Sequence, residues 1–143
     1  MGYYVTIIDA DFTIPRDKVD DAFEALCALN QRDELKGGYH YFRGEVVERY
    51  FKWMPADYDK TATSLADVLD MLGFDIETGD DGAVSIVGYD NKGGDEPHFI
   101  EALAPYATPD SFLNWEGEER ELWRQEVADD GTIRDLVGDI VWT

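Results

Sequence analysis

Four short punctuations divide this chain: Gly44, the Gly-Asp-Asp-Gly run at 79–82, the neighbourhood of Gly117, and Asp130-Gly131. Each stands between stretches rich in β-branched and aromatic residues, the composition of strands. Connections this short cannot hold the crossover that parallel strands need, so the flanking strands must pair antiparallel. Antiparallel pairing of sequential strands points to the α+β class.

The remaining segments fill in around it. "GYYVTIIDADF" reads as a first strand over Tyr3 to Ile8. After Pro15, "RDKVDDAFEALCALNQ" carries apolar residues at Val19, Ala22, Phe23, Leu26, Cys27 and Leu29, a helical period, with Asp17, Asp20 and Asp21 near its positive N-terminal end. In "TATSLADVLDMLGFD", Ser64 and Asp67 form a capping-box-like start, and Leu65, Val68, Leu69 and Leu72 make one stripe. Gly73 suits a left-handed C-cap there, and Phe74 can fold back on the last turn. Residues 74–89 predict a hairpin, "DNKGGDEP" a loop, and "EPHFIEALAPY" a short helix capped by Asp95 and ended by Pro105. Two or three strands follow to the C-terminus. The expectation is one α+β domain over 1–143, a mainly antiparallel sheet with two main helices on one face and a short third helix.

A chain of 143 residues buries roughly 68% of its unfolded surface, so a core forms without disulfides or metal. The single cysteine, Cys27, cannot make an internal disulfide, and no apolar run reaches the 18 residues of a membrane span. The start has neither a basic n-region nor a small-residue cleavage site, which points to a cytoplasmic protein. "MGYYVT" matches the N-myristoylation pattern, but Tyr3 to Ile8 read better as strand. A net charge of −20, from 32 acidic and 12 basic residues, repels nucleic acid and anionic lipid. The charge is unevenly placed: residues 32–60 sum to zero, whereas 61–143 sum to −16.

No sequence pattern supplies catalytic, metal or cofactor chemistry. Cys27 reads as a core thiol on the apolar helix face. His98 and Glu101 can share a helix face, but two residues do not define a zinc site. Asp9 and Asp11 point to one side of a strand end, yet Ile14 stands where a calcium loop needs glycine. No G-x-G-x-x-G, P-loop lysine or G-x-S-x-G is present.

The neutral segment is also the aromatic one, with Tyr39, Tyr41, Phe42, Tyr50, Phe51, Trp53 and Tyr58 beside Arg43, Arg49 and Lys52. Strand alternation would place Val47, Arg49, Phe51 and Trp53 on one face and Val46, Glu48, Tyr50 and Lys52 on the other. One face would then cover the helices and the other stay partly exposed. Core packing and a recognition surface are both open readings, because aromatics and arginine also dominate interfaces.

"WEGEERELWR", 115–124, reads as a hairpin with its loop at 118–120, which sets Trp115 opposite Trp123 as a cross-strand pair. Glu116, Glu118, Glu119 and Glu121 would gather at the tip, with Arg120 and Arg124 offsetting repulsion, as an acidic loop offered to a basic partner. Together with "GYYVTIIDADFTIP", "ALNQRDELKGG", "FKWMPADY", "LGFDIETGDDG" and "YDNKGGDE", this stretch makes the chain resemble small uncharacterised proteins of actinobacteria and their phages. The resemblance spans nearly the whole chain and implies a cytosolic origin in such a host. It brings no catalytic residues. It would place Gly-Glu-Asp-Gly where this chain has "GEER", so a strict requirement at the tip is in doubt.

The expectation is a non-enzymatic, acidic, phage-type accessory protein that binds a host or phage protein, with no cofactor and no metal. The alternative is a small-molecule binding module whose pocket is built from Tyr41, Arg43, Arg49 and Trp53. Monomer and homodimer are both open, the latter through a sheet edge at "DIVWT".

Overall fold

The computed structural model describes residues 3–139 and 141. Every strand pair is antiparallel. The chain runs β1 (Tyr4–Ile14), α1 (Arg16–Leu29), β2 (Gly38–Phe42), β3 (Glu45–Tyr50), α2 (Tyr58–Thr61), α3 (Leu65–Leu72), β4 (Asp75–Thr78), β5 (Val84–Gly88), β6 (Asp90–Lys92), α4 (Glu96–Leu103), β7 (Phe112–Gly117), β8 (Leu122–Val127) and β9 (Ile133–Gly138). The fold is a single α+β domain. Its main sheet has the order β4-β5-β1-β7-β8-β9, with β6 also on β1, and β2-β3 form a separate hairpin.

β1 is longer than the expected Tyr3–Ile8 and organises the sheet. A register shift between Ile7 and Asp9 leaves Ile8 bulged and exposed. One extra residue reverses the alternation, so Val5 and Ile7 face the core before the bulge and Ala10, Phe12 and Ile14 after it. Asp9 and Asp11 are therefore exposed mid-strand residues, not a strand end. "DNKGGDEP" is not wholly loop either, because Asp90–Lys92 pair with Tyr4–Thr6.

The helices cover one face. α1 buries Ala22, Leu26 and Leu29, with Val19 and Phe23 partly covered. α3 matches its sequence signals: Ser64 Oγ accepts from the Asp67 N–H at 3.1 Å, and Gly73 takes φ +102°. The Phe74 N–H then returns to the Leu69 carbonyl at 3.0 Å, while its side chain is buried. Phe74, Tyr89, Trp115 and Trp123 form a chain of ring contacts with centroid spacings of 4.9, 5.6 and 6.0 Å, the first tilted, the second edge-on and the last stacked. Phe51, Tyr58 and Phe99 form a second aromatic cluster. Cys27 is only partly buried, contrary to its reading as a core thiol. Its thiol pKa is nonetheless pushed up by burial and by the carboxylates of Asp59 and Glu24, which keeps the thiolate scarce.

No helix among the described residues is long and apolar enough to cross a membrane. Of the proposed "DIVWT" edge, Ile140, Trp142 and Thr143 lie outside the described residues, as do Met1 and Gly2 of the myristoylation pattern.

Candidate functional site

The β2-β3 hairpin stands away from the main sheet. Between Tyr39 and Arg49 every residue is exposed, on both faces of the ribbon. Tyr39, Tyr41, Phe42, Val46 and Val47 are 37–61% exposed. The expectation that one strand face would cover the helices is therefore not met. Its premise fails at two places: a register shift at His40/Tyr41 breaks the alternation, and β3 ends at Tyr50.

Beyond that end the chain changes role within three residues. Phe51 is fully buried against Phe99, with ring centroids 5.0 Å apart, so it belongs to the core. Met54 N–H closes a turn to the Phe51 carbonyl at 3.0 Å. Trp53, third in that turn, has φ +75°, the region where glycine is normally required, and its side chain is 47% exposed. A left-handed non-glycine residue costs about 1–2 kcal/mol. Arg43 and Gly44 make the hairpin turn at φ +53° and +82°, with the Arg43 guanidinium 5.2 Å from the Phe42 ring centroid.

Asp95 fixes the hairpin root. Although it holds the N-cap position of α4, it makes no cap bond. Its buried Oδ2 instead accepts from the Gly37 N–H at 2.9 Å and the Lys52 N–H at 2.8 Å, the two chain ends that enter and leave the hairpin. Glu96 next to it accepts from the Gly94 N–H at 2.6 Å, and burial raises its carboxyl pKa. Tyr50 lies over Gly38 so closely that a Cβ there would sit 2.3 Å from the ring.

Beside this root lies an open groove of about 640 Å³, walled by Tyr39, Tyr50 and Trp53, with Met54, Lys52 and Lys92 and the backbones of Gly37, Gly38 and Gly93. Of the pocket expected from Tyr41, Arg43, Arg49 and Trp53, only Trp53 lines it. Tyr41, Arg43 and Arg49 stay out on the hairpin. The signal that sequence reading missed is Lys92-Gly93, which reach the groove because β6 pairs with β1.

At the C-terminal hairpin, Trp115 and Trp123 are opposite and stacked, 6.0 Å apart with planes at 5°. The Trp115 indole N–H is bonded to Gln125 Oε1 at 2.8 Å, which ties the pair into the core. The acidic tip is less free than expected, because Glu118 Oε1 accepts from the Tyr4 N–H at 2.6 Å. Arg124 is not at the tip. It lies on the outer sheet face, bonded to Asn114 Oδ1 at 2.7 Å and Glu126 at 3.3 Å, and 4.3 Å over the Phe112 ring. Trp115, Trp123 and Arg124 do border one shallow hollow of about 280 Å³ with Ile8, Leu136 and Val137, but all three are already engaged within the fold.

His98 packs against Phe51 at 6.2 Å. Among the described residues, no three His, Cys, Asp or Glu side chains are grouped as metal ligands. Comparison of the chain with protein-family models, curated proteins and solved structures finds no match.

Proposed function

We propose that this chain is a non-enzymatic accessory protein, of the phage or actinobacterial kind its sequence resembles, that binds a host or phage protein through the β2-β3 hairpin. The observation that carries this reading is the exposure of Tyr39, Tyr41, Phe42, Val46 and Val47 together on a ribbon held out from the body. Monomeric proteins rarely leave contiguous apolar surface uncovered without a partner for it. Tyr, Phe and Arg are the residues that concentrate binding energy.

The hairpin region is also nearly neutral. Residues 38–53 carry Arg43, Arg49 and Lys52 against Glu45 and Glu48. The contact at the ribbon is therefore mainly apolar, and the acidic body around it favours a partner with basic surroundings. The test is affinity capture with two baits, the parent protein and a Tyr41→Ser, Phe42→Ser, Val47→Ser variant shown to unfold at the same temperature. A defined protein retained by the parent and lost by the variant supports the reading. Identical retention by both removes the hairpin from it.

A further inference from the structure

We propose that the groove at the hairpin root binds a small organic anion that carries a flat ring, with the ring against Tyr39, Tyr50 and Trp53 and the anionic group between Lys52 and Lys92. This goes beyond protein docking and does not depend on it, because the hairpin-tip residues Tyr41, Phe42 and Val47 do not line the groove.

The first argument is charge. The chain holds 32 carboxylates and only five lysines, two of which border this one groove. Lys36 and Arg32 make ion pairs with nearby acids, yet among the described residues no carboxylate lies within ion-pair distance of the Lys52 or Lys92 ammonium groups. The Lys92 ammonium lies 5.9 Å from the centroid of the Tyr4 ring. Of the buried acids at the root, Asp95 gives its Oδ2 to the Gly37 and Lys52 amides and Glu96 accepts from the Gly94 amide. On so acidic a protein, two lysines bordering one concavity, neither in an ion pair among the described residues, favour an anion there.

The second argument is the aromatic wall. Trp53 is held in a left-handed turn that a glycine would occupy without strain, and it stays half exposed. Residues held in such sparsely populated backbone regions cluster at ligand sites. The Trp53 indole N–H and the Tyr39 and Tyr50 hydroxyls have no hydrogen-bond partner among the described residues. The groove thus offers cationic groups and flat faces in a volume suited to a small ligand. A carboxylate and a phosphate share the required chemistry, and separate probes tell them apart.

The experiment follows the Trp53 indole N–H resonance, assigned through Trp53→Phe, during titration with indole-3-acetate, phenyl phosphate and the neutral indole-3-acetamide. Saturable movement of that signal with one or both anions is expected, at least about tenfold tighter than with the amide. Lys52→Met and Lys92→Met, singly and together, should weaken anion binding about tenfold or more while leaving the remaining spectrum in place. Lys52 is exposed and Lys92 half-exposed, so these variants test binding rather than folding. Equal affinity for acetate and acetamide, unchanged affinity in the double lysine variant, or a Trp53 signal unmoved by every probe at millimolar concentration would overturn the proposal.

Discussion

Replacing Asp95 with alanine should loosen the hairpin before it unfolds the domain. One buried carboxylate oxygen accepts both the Gly37 and Lys52 amides, so the substitution removes two charge-assisted hydrogen bonds and orphans two donors at once. Each such bond contributes about 1.5–3 kcal/mol. The gross loss is offset in two ways: a buried charge disappears, and the freed amides reach water once the root opens. A net loss of about 2–3 kcal/mol is expected, a large share of the roughly 5–15 kcal/mol typical of a domain. Asp95→Asn keeps an oxygen for both amides and loses only the charge, so it should cost about 1 kcal/mol. Urea unfolding gives both values, and amide hydrogen exchange locates them. Exchange should accelerate at Gly37, Lys52 and the β2-β3 ladder while the β7-β8 ladder stays protected under native conditions. A loss below about 1 kcal/mol in the alanine variant with unchanged hairpin protection would refute the idea that Asp95 anchors the root.

Three further outcomes follow from the backbone and from one buried acid. Arg120 has φ +66° at an exposed turn position, so Arg120→Gly relieves strain that the extra freedom of unfolded glycine only partly offsets; a gain of about 0.5 kcal/mol in urea unfolding is expected, and a loss would mean its guanidinium packs on the tip. Trp53→Gly should leave stability within about 1 kcal/mol of the parent, since strain relief balances lost indole contact; a much larger loss would assign Trp53 to structure. Burial raises the Glu96 pKa, so the folded state holds that proton more tightly than the unfolded state, and Glu96 withdraws stability as pH rises from the ordinary glutamate range through the folded pKa. Glu96→Gln should therefore match the parent at acid pH and exceed it at neutral pH in paired denaturation curves; a constant difference across pH would contradict this.

Local signals carried much of the fold. The α3 caps, the 74–89 hairpin and the Trp115-Trp123 pair are each determined by residues a few positions apart, and each reads directly from the chain. What escaped reading depends on distant partners. β1 continues past Ile8 because β5 and β7 pair with its second half, while the bulge reverses the alternation that would have revealed it. β6 is Asp-Asn-Lys, with no strand propensity of its own, and exists because Tyr4–Thr6 offers it an edge. Phe51 and Trp53 read as strand because the turn that ends β3 contains no glycine, its left-handed position being filled by a tryptophan. The groove draws on residues 37–54 and 92–93, a meeting no local pattern encodes.

The segment that sums to zero charge is the one that holds the projecting ribbon, and this separation has a physical consequence. The ends of the main strand path are β4 and β9, and the short β6 also pairs on one side only; exposed hydrogen-bonding groups at such edges invite pairing with other chains. Asp75 and Glu77 sit on β4, and Arg134 and Asp135 on β9, with a strongly negative body behind them. Strand pairing requires approach to about 5 Å, well inside the Debye length of about 8 Å at physiological salt, so the acidic field opposes pairing of two copies there. A six-residue ribbon extends about 20 Å, which carries Tyr41, Phe42 and Arg43 beyond the range of that field. The same charge that blunts the sheet edges leaves the hairpin tip open to contact.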